Sequence, residues 1–277
     1  ASQKIIKRKE KILSLTEVIS NIHLLFGEIH IGANHRLRVF EPVHNECAND
    51  VDVFVITDKE NHLLDDLKIN NSLYKHIQYC GDPEELGFHA HNVFKSNSEQ
   101  YDYFCYLEDD IIIKDSYFFK KLNYFNNQLN NNLNCLLQPN RYEQFYKNGN
   151  IHHQDIHKLY TELEYTEKVS DIKITMNYLG SEVEFEQSRA HHSGCFFVNS
   201  IQLQRLMQVS HFGDSSGIDN NMKLDAAATT AIAEAFQIYK TTRNNMNYFT
   251  VEHAVPNMYE QIEINQNGDV LWNHPWS

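Results

Sequence analysis

The chain has 277 residues, of which 42% are hydrophobic, and this is enough for one large domain or for two small lobes that share a core. Its 37 acidic side chains outnumber 24 basic ones, and the net charge of −13 argues against binding to nucleic acid, which needs clustered Lys and Arg. No apolar run approaches the roughly 20 residues that span a bilayer, so a transmembrane segment is not predicted.

The N-terminal segment, ASQKIIKRKEKILSL, is basic, and its apolar part is too short for a signal peptide. This segment is a candidate for peripheral contact with a membrane surface, and a helix is predicted from about Ile12 to Phe26. The five cysteines are widely spaced and form no CxxC pair. They are typical of reduced core thiols and predict a cytoplasmic protein.

Strands and helices alternate over the first half of the sequence. Strands are predicted at RLRVFEP, VDVFVITD (51–58), KHIQYC and YFCYLEDDIII (103–113), and helical segments at HLLDDL, PEELGFHAHNVFKSNSEQ and SYFFKKLNYF. The uninterrupted apolar strand at 51–58 is typical of a parallel strand covered on both faces. The alternation predicts an α/β fold with a mixed, mainly parallel central sheet that is flanked by helices.

The second half of the sequence is less regular. Strands are predicted at LNCLLQPNRY, at Gly194 to Asn199 and at NYFTVEHAVPN. The segment LDAAATTAIAEAFQIYKT contains the strongest helix, and Asp225 lies in its first turn, where the helix dipole favours a carboxylate.

Three consecutive carboxylates interrupt the apolar run at 103–113. Residues two apart in a strand share a face, so Glu108 and Asp110 are expected to point together while Asp109 points away. At the carboxyl edge of a parallel sheet, two such carboxylates favour a Mg²⁺ or Mn²⁺ site that substrate phosphates would complete. A solvated turn that ends the strand is the competing interpretation of the same residues.

The segment LGFHAHNVFKSNSEQYDYFCYLEDDIIIKDSYFF resembles glycosyltransferases of the GT-A type, in which a DxD-like motif ends a central strand and binds a metal and a nucleotide sugar. Other segments are similar to further parts of that fold: VDVFVITDKENHLL, HSGCFFVNS, LDAAATTAIAEAF and VEHAVPN. The resemblance implies a single Rossmann-like domain over 1–277. Its nucleotide-sugar half would comprise about 1–115 and its acceptor half about 116–277.

The resemblance also implies roles for individual residues around the cofactor, a divalent metal. Asp110 would be the main metal ligand, Glu108 would act on the metal or on the ribose of the donor, and Asp109 would contact the donor sugar. His253 would complete the coordination through one ring nitrogen, although an ordinary histidine at a sheet edge fits the sequence equally well.

A base for an inverting transfer is the second catalytic requirement. Asp225 is the candidate, because the small residues after it would permit close approach of a substrate, and Asp214 and Asp219 are rivals. The competing interpretation is that Asp225 is simply an acid in a first helical turn.

Three further residues are predicted to contact the nucleotide. Thr57 and Asp58 end a strand, and His91 lies one helical turn from Lys95, which suits a phosphate contact. A plain turn at 57–58 and a solvated helix face at 91–95 are the alternatives.

Several clusters have no assigned role. A zinc site is one interpretation of His152, His153, His157, His191 and His192, and a structural role is the other. Trp272 and Trp276 would stack on a sugar or dock the terminal segment onto the core.

The leading hypothesis is a metal-dependent glycosyltransferase that moves a sugar from a nucleotide-diphosphate donor to a hydroxyl of a glycan or related acceptor. A sugar-phosphate nucleotidyltransferase and a metal-dependent phosphodiesterase are the alternatives among enzymes. A carbohydrate-binding protein without turnover is the alternative from another class.

Overall fold

The computed structural model describes residues 2–27, 30–43, 50–59, 62–129, 132, 134–146, 156–161, 173–189, 191–255, 262–264 and 270–272. In this part of the chain the helices are α1 (Ser2–Phe26), α2 (Leu86–Ser96), α3 (Phe118–Gln128), α4 (Ser200–Leu206) and α5 (Lys223–Ala235). Short 3-10 helices lie at Leu64–Asp66, Asn71–Leu73, Pro83–Glu85, Asn220–Met222 and Arg243–Asn245.

Sixteen strands form six small sheets within the described ranges. The strands are β1 (Ile31–Asn34), β2 (Val39–Pro42), β3 (Phe54–Asp58), β4 (Lys75–Tyr79), β5 (Tyr103–Leu107), β6 (Ile111–Ile112), β7 (Cys135–Leu137), β8 (Asn140–Tyr146), β9 (Ile156–Tyr160), β10 (Lys173–Tyr178), β11 (Ser181–Gln187), β12 (Cys195–Asn199), β13 (Gln237–Thr241), β14 (Thr250–His253), β15 (Ile262–Ile264) and β16 (Val270–Trp272). The sheet orders are β1-β2, β3-β4, β12-β5, β10-β11-β13-β7, β6-β14-β8-β9 and β15-β16.

The α/β class is confirmed, but the prediction of a single, mainly parallel central sheet is wrong. Only β3 with β4, β7 with β13, and β8 with β14 run parallel in the described part of the chain, and the other seven pairs are antiparallel. The predicted central strand, β5, pairs antiparallel with β12. A parallel partner for β5 would require a crossover connection between the two strands. Strand β12 instead comes after the antiparallel strands β9 to β11 and runs in the direction opposite to β5.

Helices pack on both faces of the β5–β12 pair. Phe196 and Val198 of β12 face a cluster formed with α2, α4 and α5, while Cys195 and Phe197 face a cluster formed with α3. These alternating residues are fully buried, as expected for a strand that is covered on both sides. The site described below lies at the end of this layered core.

Helix α1 runs for 25 residues without Gly or Pro and ends before Gly27. Its Ser14 hydroxyl donates to the carbonyl of Asp109 at 3.1 Å, and its Asn21 amide donates to the carbonyl of Ile113 at 3.4 Å. Helix α1 therefore packs beside the chain on both sides of β6. Among the described helices, α1 included, none combines the length and the apolar character needed to cross a membrane.

Candidate functional site

The three carboxylates Glu108, Asp109 and Asp110 form a turn between β5 and β6. The amide of Ile111 donates to the carbonyl of Glu108 at 3.2 Å, which closes the turn. The expectation that they continue the strand is therefore wrong, and strand parity does not set their directions. The backbone still fixes the turn, because Glu108 N donates to Gly194 O at 2.9 Å and Ala254 N donates to Asp110 O at 2.8 Å.

The Glu108 carboxyl lies in an acidic environment. Burial raises the pKa of Glu108 to about 7, the negative charge of Asp110 adds to this effect, and the positive charge of Arg141 opposes it. Asp225 also raises the Glu108 pKa through its charge. Asp110 and Asp225 are thus each close enough to Glu108 for their negative charges to disfavour its ionised form.

His253 is held between two carboxylates. Its Nε2 lies 3.3 Å from Asp110 Oδ2, and its Nδ1 lies 2.9 Å from Glu143 Oε1. Burial alone would lower the pKa of His253, but the hydrogen bonds to Asp110 and Glu143 outweigh burial and raise that pKa to about 9. At neutral pH the imidazolium cation therefore neutralises part of the acidic turn.

Glu143 and Arg141 were not predicted from the sequence. The register of β8 against β14 places Tyr142 beside Glu252, so the next residue, Glu143, comes beside His253. Glu143 is 1% exposed, and the positive charge of Arg141 influences the pKa of both Glu108 and His253. The sequence offered no local signal for this pair, since Arg141 lies at the end of the predicted strand LNCLLQPNRY and Glu143 directly follows it.

A large cleft of about 2080 Å³ brings most of the predicted acids together. Its lining includes Asp58, Glu108, Asp109, Asp110 and Asp225. These residues come from the end of β3, the turn after β5 and the first turn of α5. Carboxylates from three separate elements thus line one cleft.

Two predicted nucleotide contacts do not fit this cleft. Thr57 is not among its lining residues, and the Thr57 hydroxyl shares a hydrogen bond of 2.8 Å with His76 Nε2. His91 is fully buried, and its ring nitrogens lie 2.9 Å from Ala227 O and 3.0 Å from Gly213 N. Burial lowers the pKa of His91 to about 4, so it is a neutral core histidine without a free donor for a phosphate.

The helix that carries Asp225 packs more tightly than predicted. Ala226, Ala227, Ala228 and Ala231 are buried in the core, so the small residues of α5 serve packing and do not admit a substrate. Asp225 itself is exposed to the cleft.

The rival bases lie in the segment before α5, and neither lines the cleft. The carboxylate of Asp214 accepts hydrogen bonds from the amide of Ser216 at 2.9 Å and from its hydroxyl at 2.5 Å. The same segment is fastened to α2, because Lys95 Nζ donates to Phe212 O at 2.5 Å. Asp225 is therefore the best placed of the three candidates.

The remaining histidines do not form a metal cluster in the described part of the chain. His191 is half-buried, and burial, together with the charges of His192 and Lys240, lowers its pKa. His157 lies in β9 and Trp272 in β16, where only the backbone is described, and His152, His153 and Trp276 lie outside the described residues.

Gly194 allows β12 to approach the acidic turn. Its φ of +64° is in the left-handed region, and a Cβ there would lie 2.7 Å from Glu108 Oε2 and 2.9 Å from Ile111 Cγ1. Both contacts are too short, so Gly194 is the residue that makes room for the Glu108 carboxylate.

Replacing Gly194 with Ala is expected to destabilise the fold and displace Glu108. Gly180→Ala is the matched control, since Gly180 has φ +81° but no atom within 4 Å of its Cβ position. Both variants incur the backbone strain of roughly 1 kcal/mol, and Gly194→Ala should lose at least about 2 kcal/mol more from the clash. Urea denaturation measures the difference, and equal losses would contradict this account of Gly194.

Comparison of the chain with known proteins identifies no family. No family model matches the chain, and no curated protein or solved structure matches it.

Proposed function

We propose that the chain is a metal-dependent glycosyltransferase with a GT-A-like arrangement, which transfers a sugar from a nucleotide diphosphate to a hydroxyl of a glycan or related acceptor. The observation that carries the proposal is that the acidic turn, Asp58 and Asp225 line one cleft, with Asp225 within electrostatic reach of Glu108. Such a cleft can hold a donor at the turn and an acceptor near α5.

The ligating atoms near the acidic turn are of the types that bind a divalent cation. Glu108 and Asp110 offer hard carboxylate oxygens, which Mg²⁺ and Mn²⁺ prefer, and His253 offers a borderline nitrogen. No group of three or more ligating side chains is preassembled among the described residues. Mg²⁺ sites commonly need only one or two carboxylates, with waters and substrate phosphates as the other ligands, so a preformed cage is not required.

The residues have distinct roles in this proposal. Asp110 and Glu108 would hold the cation, which would neutralise charge on the departing nucleoside diphosphate. Glu143 would orient His253 through the hydrogen bond to Nδ1, and Arg141 adds positive charge that acts on Glu108 and His253. His253 would become available as a ligand only after it loses its proton, since a metal binds the neutral imidazole.

Asp225 is the proposed base. Its carboxylate takes the proton of the acceptor hydroxyl as that oxygen attacks the anomeric carbon, and the bond from this carbon to the diphosphate breaks. Attack from the face opposite the leaving group inverts the anomeric configuration. Asp58 would contact the nucleotide, and Asp109 the donor sugar.

A cytoplasmic location is part of the proposal. It is supported by the four described cysteines, Cys80, Cys105, Cys135 and Cys195, all of which are free thiols.

A thermal-shift screen tests the function. UDP, GDP, CMP and dTDP sugars are each added with and without Mn²⁺, and one nucleotide class should raise the melting temperature only when the metal is present. A ligand at a hundred times its Kd should stabilise the fold by about 2.7 kcal/mol, which such a screen detects. No response to any nucleotide with metal would count against a donor site, and a response without metal would remove the role given to Asp110.

A further inference from the structure

The hairpin of β1 and β2 stands apart from the layered core. Ile31 pairs with Pro42 and Ala33 with Phe40, and in the described part of the chain neither strand joins another sheet. Neither strand packs extensively against another described helix or strand. A two-stranded ribbon on its own is at best marginally stable in water, so its side chains need another environment to cover them.

One face of this ribbon is wholly apolar. Partners across an antiparallel pair share a face, which places Ile31, Ala33, Phe40 and Pro42 together. All four are exposed, Phe40 by 74% and Ile31 by 61%. The ribbon therefore presents its apolar face outward, the reverse of the usual arrangement in a protein that meets only water.

The tip of the hairpin combines an apolar side chain with two cations. Leu37 is 62% exposed and lies between Arg36 and Arg38, which are also exposed. The turn is ordered, because Asn34 Oδ1 accepts from Leu37 N at 3.1 Å and Asn34 Nδ2 donates to Glu41 Oε1 at 3.2 Å. The exposed Leu37 is thus a feature of a defined turn.

The charge of the N-terminal segment indicates what covers the hairpin. The first 43 residues contain seven Lys and Arg against four Glu, with five of the cations at 4–11 and two, Arg36 and Arg38, at the hairpin tip, whereas the whole chain carries a net charge of −13. Exposed lysines of α1, including Lys7, Lys9 and Lys11, belong to the same basic segment. An anionic surface would attract this segment and repel the acidic remainder, and a second copy of the same basic hairpin would be repelled.

We propose that the β1–β2 hairpin docks the protein onto an anionic phospholipid membrane. The apolar face and Leu37 enter the boundary between headgroups and acyl chains, and Arg36 and Arg38 contact the lipid phosphates. Helix α1, which precedes the hairpin in the chain, also lines the cleft through Lys11, Leu15 and Val18. This inference does not depend on the proposed transferase activity.

The test is co-sedimentation of the full chain with lipid vesicles. One set contains phosphatidylcholine alone, and the other contains about one-third phosphatidylglycerol. The first variant carries Leu37→Ser and Phe40→Ser, and the second carries Arg36→Gln and Arg38→Asn. Leu179→Ser is the matched control, because Leu179 is 85% exposed in the turn of another hairpin, whose second strand carries Glu182, Glu184 and Glu186.

The unaltered chain should partition onto the anionic vesicles and not onto phosphatidylcholine alone. The apolar variant should lose at least about tenfold in partitioning, and the arginine variant roughly fivefold for each charge removed. The Leu179→Ser control should bind like the unaltered chain. All five substituted side chains are exposed, so the variants should keep the melting temperature of the unaltered chain. Unchanged melting temperatures would exclude unfolding as the cause of lost binding.

Two results would overturn the proposal. One is equal binding of the unaltered chain and both hairpin variants. The other is a dimer in solution that the apolar variant converts to a monomer while no form binds vesicles, since the occupant of the apolar face would then be a second copy.

Discussion

Replacement of Asp110 by Asn is expected to abolish Mn²⁺-dependent donor binding and to lower transfer by at least about a thousandfold. The amide keeps the size of the side chain but removes the negative charge that would hold the cation. The substitution also removes the ion pair that Asp110 makes with His253 Nε2 at 3.3 Å. Isothermal titration with Mn²⁺ and nucleotide, followed by turnover assays, measures both effects.

The fold should tolerate Asp110→Asn. Glu143 still contacts His253 Nδ1, so the imidazolium keeps one carboxylate partner, and the repulsion between Asp110 and Glu108 is relieved. The free energy of unfolding should therefore fall by at most about 2 kcal/mol. Asp65→Asn, a substitution of an exposed carboxylate that does not line the cleft, should change neither binding nor turnover. Undiminished metal-dependent binding by Asp110→Asn would remove the acidic turn from the proposed site.

The elements with strong local patterns could be predicted from the sequence. The apolar runs at β3, β5 and β12 have the composition of buried strands. Helices α3 and α5 lie in segments whose residues favour a helix. The sheet order could not be predicted, because β5 pairs with β12 about ninety residues later and β7 pairs with β13 about a hundred residues later. Local composition carries no information on such partners or on their direction.

The candidate site shows the same division. The acidic triplet stands out in sequence because three charges follow an apolar run, and it does line the cleft. Its turn was only the competing interpretation, since the isoleucines that follow favoured a continuing strand. Glu143 reaches His253 only through the register of β8 and β14, across 110 residues of sequence. The prediction for His91 relied on local spacing alone. Its position one helical turn from Lys95 suggested a shared surface, but the His91 ring is buried in the core.

Asp225→Asn is expected to keep donor binding and to lose transfer. Asp225 is exposed to the cleft and lies within electrostatic reach of Glu108, but it belongs to a different element from the turn that would hold the cation. The substitution removes the proton acceptor and keeps the side chain's shape. Loss of a general base typically lowers kcat by about 10²- to 10⁴-fold.

The controls for Asp225 come from the rival bases. Asp214→Asn and Asp219→Asn make the same chemical change outside the cleft lining, so both should retain turnover and metal-dependent donor binding. Single-turnover kinetics separates binding from chemistry, and the anomeric configuration of the product, read by NMR, tests the proposed inversion. A retained configuration, or near-normal kcat in Asp225→Asn, would remove the base from this position. If Asp219→Asn lost turnover instead, the segment before α5 would have to move into the cleft during the reaction, and α5 would serve the site only as a wall.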